Sequence, residues 1–385
     1  MFRLAALARS AFGREPPTVL AACTGVKRPC DNCYMPVTPG EAAVHSQRMD
    51  AGQDRGGSVA GHELERVADV AGRLERELSK AIIGQQRVVR EILIAFLAGG
   101  HCLLRGVPGL AKTLLIKKLA QAVDLKFNRI QFTPDLMPSD ILGAEVIEED
   151  RTTGRRVIRF IRGPVFANIL LADEINRTPP KTQAALLEAM QEYQITVNGA
   201  RFPLDRPLFV LATQNPIEQE GTYPLPEAQL DRFMFNVVIE YPSAEEERRI
   251  LAHTTGNLDP PISIVASGEE IERLHAVVRD VPAAENVIDY AARLVRATRP
   301  SRQGEGIPEF VNKWVRWGAG PRAGQALLLG AKACALLEGR SVVSLDDVRA
   351  VALPVLRHRV LLNFQAEADE MDTDAIVRQL LEQIR

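Results

Sequence analysis

Gly106-Val107-Pro108-Gly109-Leu110-Ala111-Lys112-Thr113 puts two glycines, a lysine and a hydroxyl within one short stretch, the set needed to cradle a chain of phosphates. In such a loop the backbone N–H groups, and those of the helix that follows, point at phosphate oxygens. The Lys112 ammonium reaches the outer phosphates and the Thr113 hydroxyl is placed to ligate magnesium. The loop departs from G-x-x-x-x-G-K-[ST] at one position, where Ala111 stands for the last glycine. One methyl is tolerated there if φ stays negative. A Gly-Pro turn opening an ordinary helix is the plain alternative.

About sixty residues on, Asn168-Ile-Leu-Leu-Ala-Asp173-Glu174 is an apolar run that ends in two acids. Burying paired carboxylates at a strand tip is costly without a cation. Asp173 is therefore placed to hold the magnesium through water, and Glu174 to orient and polarise an attacking water, the division of labour that phosphoryl transfer to water requires. A third run, Phe209-Val-Leu-Ala-Thr-Gln-Asn215, ends in an amide able to hydrogen-bond the γ-phosphate or the lytic water. An asparagine before Pro216 is also a common turn residue. Within Leu230-Asp231-Arg232-Phe233, Arg232 has the charge to neutralise a transition state in a neighbouring subunit, or simply pairs with Asp231.

These side chains need strands and helices to carry them. Short apolar strands are expected from His101 to Arg105, Phe127 to Phe132, Asn168 to Ala172, Leu208 to Thr213 and Met234 to Ile239, alternating with helical periods. That order predicts a parallel α/β sheet with crossover helices. Beyond Tyr241-Pro242-Ser243 the strands are expected to stop. Helical periods take over, from Glu269 to Arg279, Ala284 to Arg299, Phe310 to Trp317, Arg322 to Leu337 and Leu345 to Leu361. Upstream, helical spacing begins at Glu63 and a second helix runs from Val88 to Phe96. The expected division is a disordered extension over 1–60, a nucleotide-binding α/β domain over 61–242, a smaller all-helical lid over 243–370 and a C-terminal helix over 371–385.

With 385 residues and a formal charge of −2 from 47 basic and 49 acidic side chains, no global field draws this chain to a polyanion. No apolar run approaches the length of a membrane span. The extension, rich in Pro and Gly, opens on arginine-bearing, acid-free residues of the kind found in transit peptides, and Met49 could itself start a chain. Cys23, Cys30 and Cys33 with His45 offer zinc-ligand chemistry, but only one CxxC is present, and free thiols in a flexible tail are the preferred reading. The sparse cysteines point to a reducing cytoplasm.

The blocks in order resemble the MoxR family of AAA+ ATPases, in the branch that includes magnesium-chelatase-like proteins. The resemblance runs from about Leu64 to Gln365 and rests on Ile83-Gly84-Gln85, the loop Gly106 to Thr113, Gln131-Phe-Thr-Pro-Asp-Leu-Met-Pro-Ser-Asp140, Asp173-Glu-Ile-Asn-Arg177, Ala212-Thr-Gln-Asn-Pro216, Leu225-Pro-Glu-Ala-Gln-Leu-Asp-Arg-Phe233 and Gly320-Pro-Arg322-Ala. The family commonly writes the phosphate loop with alanine at the Ala111 position. The resemblance implies binding of ATP with Mg2+, with Ile83, Gly84 and Leu114 joining the loop residues as nucleotide contacts. It makes Asn215 a first sensor, Arg232 an arginine finger and Arg322 a second sensor, a lid arginine that touches the γ-phosphate. Taken alone, Arg322 is an arginine at a helix start, opposed by the helix dipole, and a bound triphosphate would supply the missing anion.

Two hairpins fit the same branch. Val146-Ile147 and Val157-Ile158 flank a turn cluster from Glu149 to Gly154, and Asn198-Gly199 sits between alternating strands, the strongest short hairpin signal. Such ribbons either contact a substrate or are plain surface. The resemblance implies a homo-oligomeric ring, typically a hexamer, that remodels or matures a protein target with a partner bearing a von Willebrand factor A domain, in metal-cofactor insertion or complex assembly. The alternative is a DNA-translocating or unwinding motor. The hairpin tip Arg151-Thr-Thr-Gly-Arg-Arg156 is basic, but nucleic acid is disfavoured because aromatics make up only 5% of the chain, leaving few stacking platforms.

Overall fold

The computed structural model describes residues 56–149, 156–217, 221–255, 260–301 and 307–384. The cysteines and histidine of the extension, and the expectations of disorder or a zinc site attached to them, lie outside the described residues. So do residues 150–155 of the first hairpin's tip.

Helices α1 (Gly56–Ala81) and α2 (Gln86–Leu97) lead into β1 (Cys102–Arg105), α3 (Lys112–Ala122), β2 (Phe127–Gln131) and the short α4 (Pro138–Leu142). A hairpin of β3 (Gly143–Glu149) and β4 (Arg156–Arg162) precedes β5 (Ile169–Asp173) and α5 (Pro180–Glu192). A second hairpin, β6 (Gln194–Val197) with β7 (Ala200–Pro203), precedes β8 (Phe209–Gln214), α6 (Glu227–Leu230) and β9 (Phe235–Val238). The sheet is parallel throughout, in the order β2-β5-β8-β1-β9. Strands β1, β5 and β8 are apolar on both faces because both are covered. Leu103, Leu170, Ala172, Val210 and Ala212 pack toward α5, while Cys102, Leu104, Ile169, Leu171, Leu211 and Val237 pack toward α1, α2 and α3. The chain therefore delivers the ends of β1, β5 and β8 to one edge, as an open parallel sheet does for a ligand.

In the second hairpin Asn198 and Gly199 both take positive φ, 49° and 84°, as a two-residue type I′ turn requires. The two hairpins touch: the Phe160 and Phe202 rings stack at 4.1 Å, and Asn198 Nδ2 donates to Glu145 Oε2 at 2.7 Å.

After Ser243, which caps α7 (Ala244–Thr254) by accepting from the Glu246 N–H, come α8 (Gly268–Asp280), α9 (Glu285–Ala297) and α10 (Glu309–Trp314). Two expectations need correction here. The helix expected through Trp317 stops at Trp314, and β10 (Val315–Trp317) continues the chain; α11 (Pro321–Leu337) and α12 (Leu345–Leu356) follow. The helix expected to reach Leu361 stops at Leu356, and β11 (Leu361–Leu362) pairs antiparallel with β10, so strands do not cease at Ser243. Helices α13 (Phe364–Ala368) and α14 (Thr373–Gln383) close the described chain. The residues beyond α12 leave the helix because they have other partners. Strand β9 is an edge, and carbonyls on it and in the turn before it need donors. Arg357 Nη1 donates to Asn236 O at 2.8 Å, and His358 Nε2 bonds Phe233 O at 3.0 Å. Arg359 bonds the same turn. Among the described residues, no helix is long and apolar enough to cross a membrane.

His101, buried just before β1, accepts the Val210 N–H on Nδ1 at 3.2 Å and uses Nε2 on Met190 O at 3.3 Å. A proton on Nδ1 would face an N–H, and burial pushes the imidazole down to about 4 from an ordinary 6.5. Above pH 6.5 both folded and unfolded forms are neutral at this site. Between 6.5 and 4 only the unfolded chain takes up the proton, so stability falls with pH there, by on the order of 3 kcal/mol across the window. Buried His275 and His358 are shifted in the same direction. Urea midpoints should drop from pH 7.5 to pH 5, and His101→Gln should flatten that slope; an unchanged slope in the variant would remove His101 from the account.

Candidate active site

At the sheet's C-terminal edge a cavity of about 470 Å³ is lined by Pro108, Gly109, Ala111, Lys112, Thr113, Leu114, Asp173, Glu174 and Asn215, with Arg129, Gln131 and Thr213. The phosphate loop wraps one side. Gly109 and Ala111 have φ of 86° and 54°. The condition set for Ala111, a negative φ, is thus not met: alanine is held in the left-handed region, a strain that surrounding structure must impose. Its effect is to turn successive N–H groups inward, as an anion nest does. Lys112 donates to the Gly106 carbonyl. Partial burial lowers its pKa, opposed by the nearby charges of Asp173 and Glu174. A phosphate chain in the cavity would offer this ammonium the anion it lacks.

Thr213, buried on β8, holds both acids of the β5 tip. Its hydroxyl donates to Asp173 Oδ1 at 2.6 Å and accepts the Glu174 N–H at 2.9 Å. Arg129 on β2 donates to Asp173 Oδ2 at 2.7 Å through Nη2 and 3.1 Å through Nε. Gln131, paired with Asp173 in the strand register, donates to Glu174 Oε2 at 2.8 Å, and Arg177 Nη1 to the same oxygen at 3.0 Å. Glu174 itself sits at φ 58°. Thr213, Arg129 and Gln131 were not among the residues singled out from the sequence; only Thr213 and Gln131 fall inside blocks that carry the resemblance. Asn215 lines the cavity and also makes the turn, its Oδ1 accepting the Ile217 N–H at 3.2 Å.

Four expected nucleotide contacts do not line this cavity. Leu110 packs on the core beneath the loop. Gly106 borders a separate cavity beside Arg357 and Asp374. Ile83 and Gly84 lie between α1 and α2, where a side chain at Gly84 would run into the Glu246 carboxylate.

Nor do Arg232 and Arg322. They share a different cavity, of about 580 Å³, with Asp231, Arg279 and Arg359. Arg232 Nη1 donates to Leu187 O at 2.9 Å, and half-exposed Arg322 lies 3.7 Å from Asp231 Oδ2. Neither arginine lines the loop cavity of its own chain.

Magnesium suits the oxygen donors present, a threonine hydroxyl and a carboxylate. Among the described residues no group of three or more His, Cys, Asp or Glu is placed to hold a metal ion alone, which fits an ion that brings waters and phosphate oxygens with it.

A parallel sheet, a loop that nests anions and paired acids on the next strand but one define a P-loop nucleoside triphosphatase of the AAA type. Residues 101–235 match the ATPase family associated with various cellular activities (AAA), and residues 309–380 match the AAA lid domain. The chain is 41% identical over 348 residues to "Chaperone MoxR1" of Mycobacterium tuberculosis, covering 90% of this chain and 89% of that protein. To "Protein MoxR" of Methylorubrum extorquens it is 34% identical, covering 76% and 88%. A solved structure described as a putative ATPase from Cytophaga hutchinsonii superposes with a TM-score of 0.78 at 39% identity, over 85% of this chain and 98% of that one. The chain belongs to the MoxR family of AAA+ ATPases.

Proposed function

We propose that this protein hydrolyses ATP with Mg2+ as a ring of identical subunits and works as a chaperone-like motor on a protein target. The observation that carries the ring is the separation of the machinery into two cavities. Lys112, Thr113, Asp173, Glu174 and Asn215 line one; Arg232 and Arg322 line the other. Neither cavity alone has both a phosphate cradle with its acid and the Arg232–Arg322 pair. A neighbour's arginine face against the loop cavity completes the set.

Within that site Lys112 and the loop N–H groups bind the β- and γ-phosphates; Thr113, and Asp173 through water, would hold the ion, which would offset charge on the phosphate oxygens. Glu174, fixed through Oε2 by Gln131 and Arg177, presents its other oxygen to water. Attack on the γ-phosphorus breaks its bond to the bridging oxygen, releasing ADP and phosphate, and the water's proton passes toward Glu174. Arg232 and Arg322 of the adjacent subunit meet the charge that grows on the γ-oxygens.

The first hairpin favours a protein target over DNA. Ile147, Val157, Ile158 and Ile161 stand exposed on it, Ile147 at 69%, and apolar side chains suit polypeptide better than a phosphate backbone. A partner with a von Willebrand factor A domain, and a role in metal-cofactor insertion or complex maturation, are finer expectations from the family resemblance. Turnover measured with an unfolded polypeptide and, separately, with single-stranded DNA tests the choice. Stimulation by the polypeptide is expected; stimulation by DNA alone would put the translocating motor first.

A further inference from the structure

Arg359 spends its whole guanidinium inside the protein. Nε donates to Asp231 Oδ1 at 2.7 Å, Nη1 to Met234 O at 3.0 Å and Val355 O at 2.6 Å, and Nη2 to Asp231 O at 3.2 Å and Phe233 O at 2.7 Å. Those are all the donors an arginine has, so this side chain has nothing left for a phosphate. Two of its carbonyl partners, Asp231 O and Phe233 O, belong to the residues on either side of Arg232. Its carboxylate partner, Asp231, turns the other oxygen toward Arg322. Arg322 stands in the first turn of α11, where the helix dipole repels a cation and no side chain caps the end. Asp231 is the anion that offsets this.

We propose that Arg359 and Asp231 are positioning residues that set Arg232 and Arg322 in register as one unit. The buried guanidinium brackets the backbone of the first, and the carboxylate it orients aims the second. This rests on the reading that both arginines serve a neighbour's site. It assigns the lid a second duty: the turn after α12 determines where the turn before β9 holds its arginine, so lid position and finger position are one variable. A lysine at Arg359 could not bracket two peptides and a carboxylate, having three donors on a single point.

Asp231→Asn is the sharper test because it keeps the backbone carbonyl and an oxygen for Arg359 while removing the charge facing Arg322. With assembled wild-type and variant rings, kcat should fall about 10- to 100-fold while KM for ATP stays unchanged, the variant's own loop cavity being intact. In an Arg322→Ala background the same change should lower kcat no further. Mixed with Glu174→Gln subunits, Asp231→Asn subunits should regain turnover, since an intact arginine face then meets an intact Glu174. A general structural defect would stay within the damaged subunit and would not be relieved by a neighbour. If Arg232→Ala subunits are rescued in such rings and Asp231→Asn subunits are not, or if Asp231→Asn turns over at the wild-type rate, positioning by Asp231 is wrong and the reading of the two arginines stands. If Arg232→Ala itself leaves turnover unchanged, that reading falls and this inference with it. Arg359→Lys, compared at equal thermal stability, should repeat the loss of kcat.

Discussion

Glu174→Gln subunits should bind ATP as the wild type does and fail to turn it over, whereas Lys112→Ala subunits should fail to bind. The first change removes only the carboxylate that polarises water. The backbone N–H of residue 174 still bonds the Thr213 hydroxyl, and the amide keeps an oxygen for Arg177, so the strand tip keeps its shape. A general base contributes about 10²- to 10⁴-fold, and the loss should fall in that range. The second change withdraws, among the described residues, the one ammonium that lines the loop cavity. Fluorescent-nucleotide binding and phosphate release, measured on the same preparations, separate the two. Hydrolysis at the wild-type rate by Glu174→Gln would place the base elsewhere.

Arg232→Ala should leave ATP binding largely intact and slow turnover by about 10³- to 10⁵-fold, the range known for finger arginines. Because the residue lies apart from its own chain's loop cavity, wild-type hydrolysis should rise more steeply than linearly with protein concentration while subunits associate. Arg232→Ala and Glu174→Gln subunits, each inactive alone, should recover activity when mixed, at interfaces joining an intact Glu174 to an intact Arg232. Mixed rings, shown by a tag on one partner, that stay inactive at every ratio would assign Arg232 to its own subunit or to structure, and would bring Arg177 forward as the cross-subunit contact.

The strands were legible because burial on both faces writes itself as continuous apolar runs, and their acid or amide endings marked the edge where chemistry gathers. The roles of Arg129 and Gln131 were not, because they depend on β2 lying beside β5, which the strand sequence FNRIQ does not reveal. Thr213 needed the register of β5 against β8 as well. The left-handed backbone at Ala111 was missed for a related reason: local preference argues against it, and tertiary structure overrides that preference. Past Arg357-His358-Arg359 the sequence carries the helical period on through Val360 and Leu361. What stops the helix is a set of carbonyls on an edge strand and in the turn before it, more than a hundred residues earlier, and no local pattern records that.

The contact between the two hairpins has a mechanical reading. One ribbon feeds into the start of β5 and the other into the start of β8, which are neighbours in the sheet. Through the Phe160–Phe202 stack and the bond between Asn198 and Glu145, tension on either ribbon is shared by both strands. At about 3.3 Å per residue, each strand is a rod of roughly 15 Å, with the ribbon at one end and Asp173 or Thr213 at the other. Under the proposed motor function, a load on either ribbon would bear on the same strands that carry the acid and the hydroxyl locking it. On that proposal, resistance outside and bond cleavage inside would share one linkage, and fuel use would answer to the load without a separate sensor.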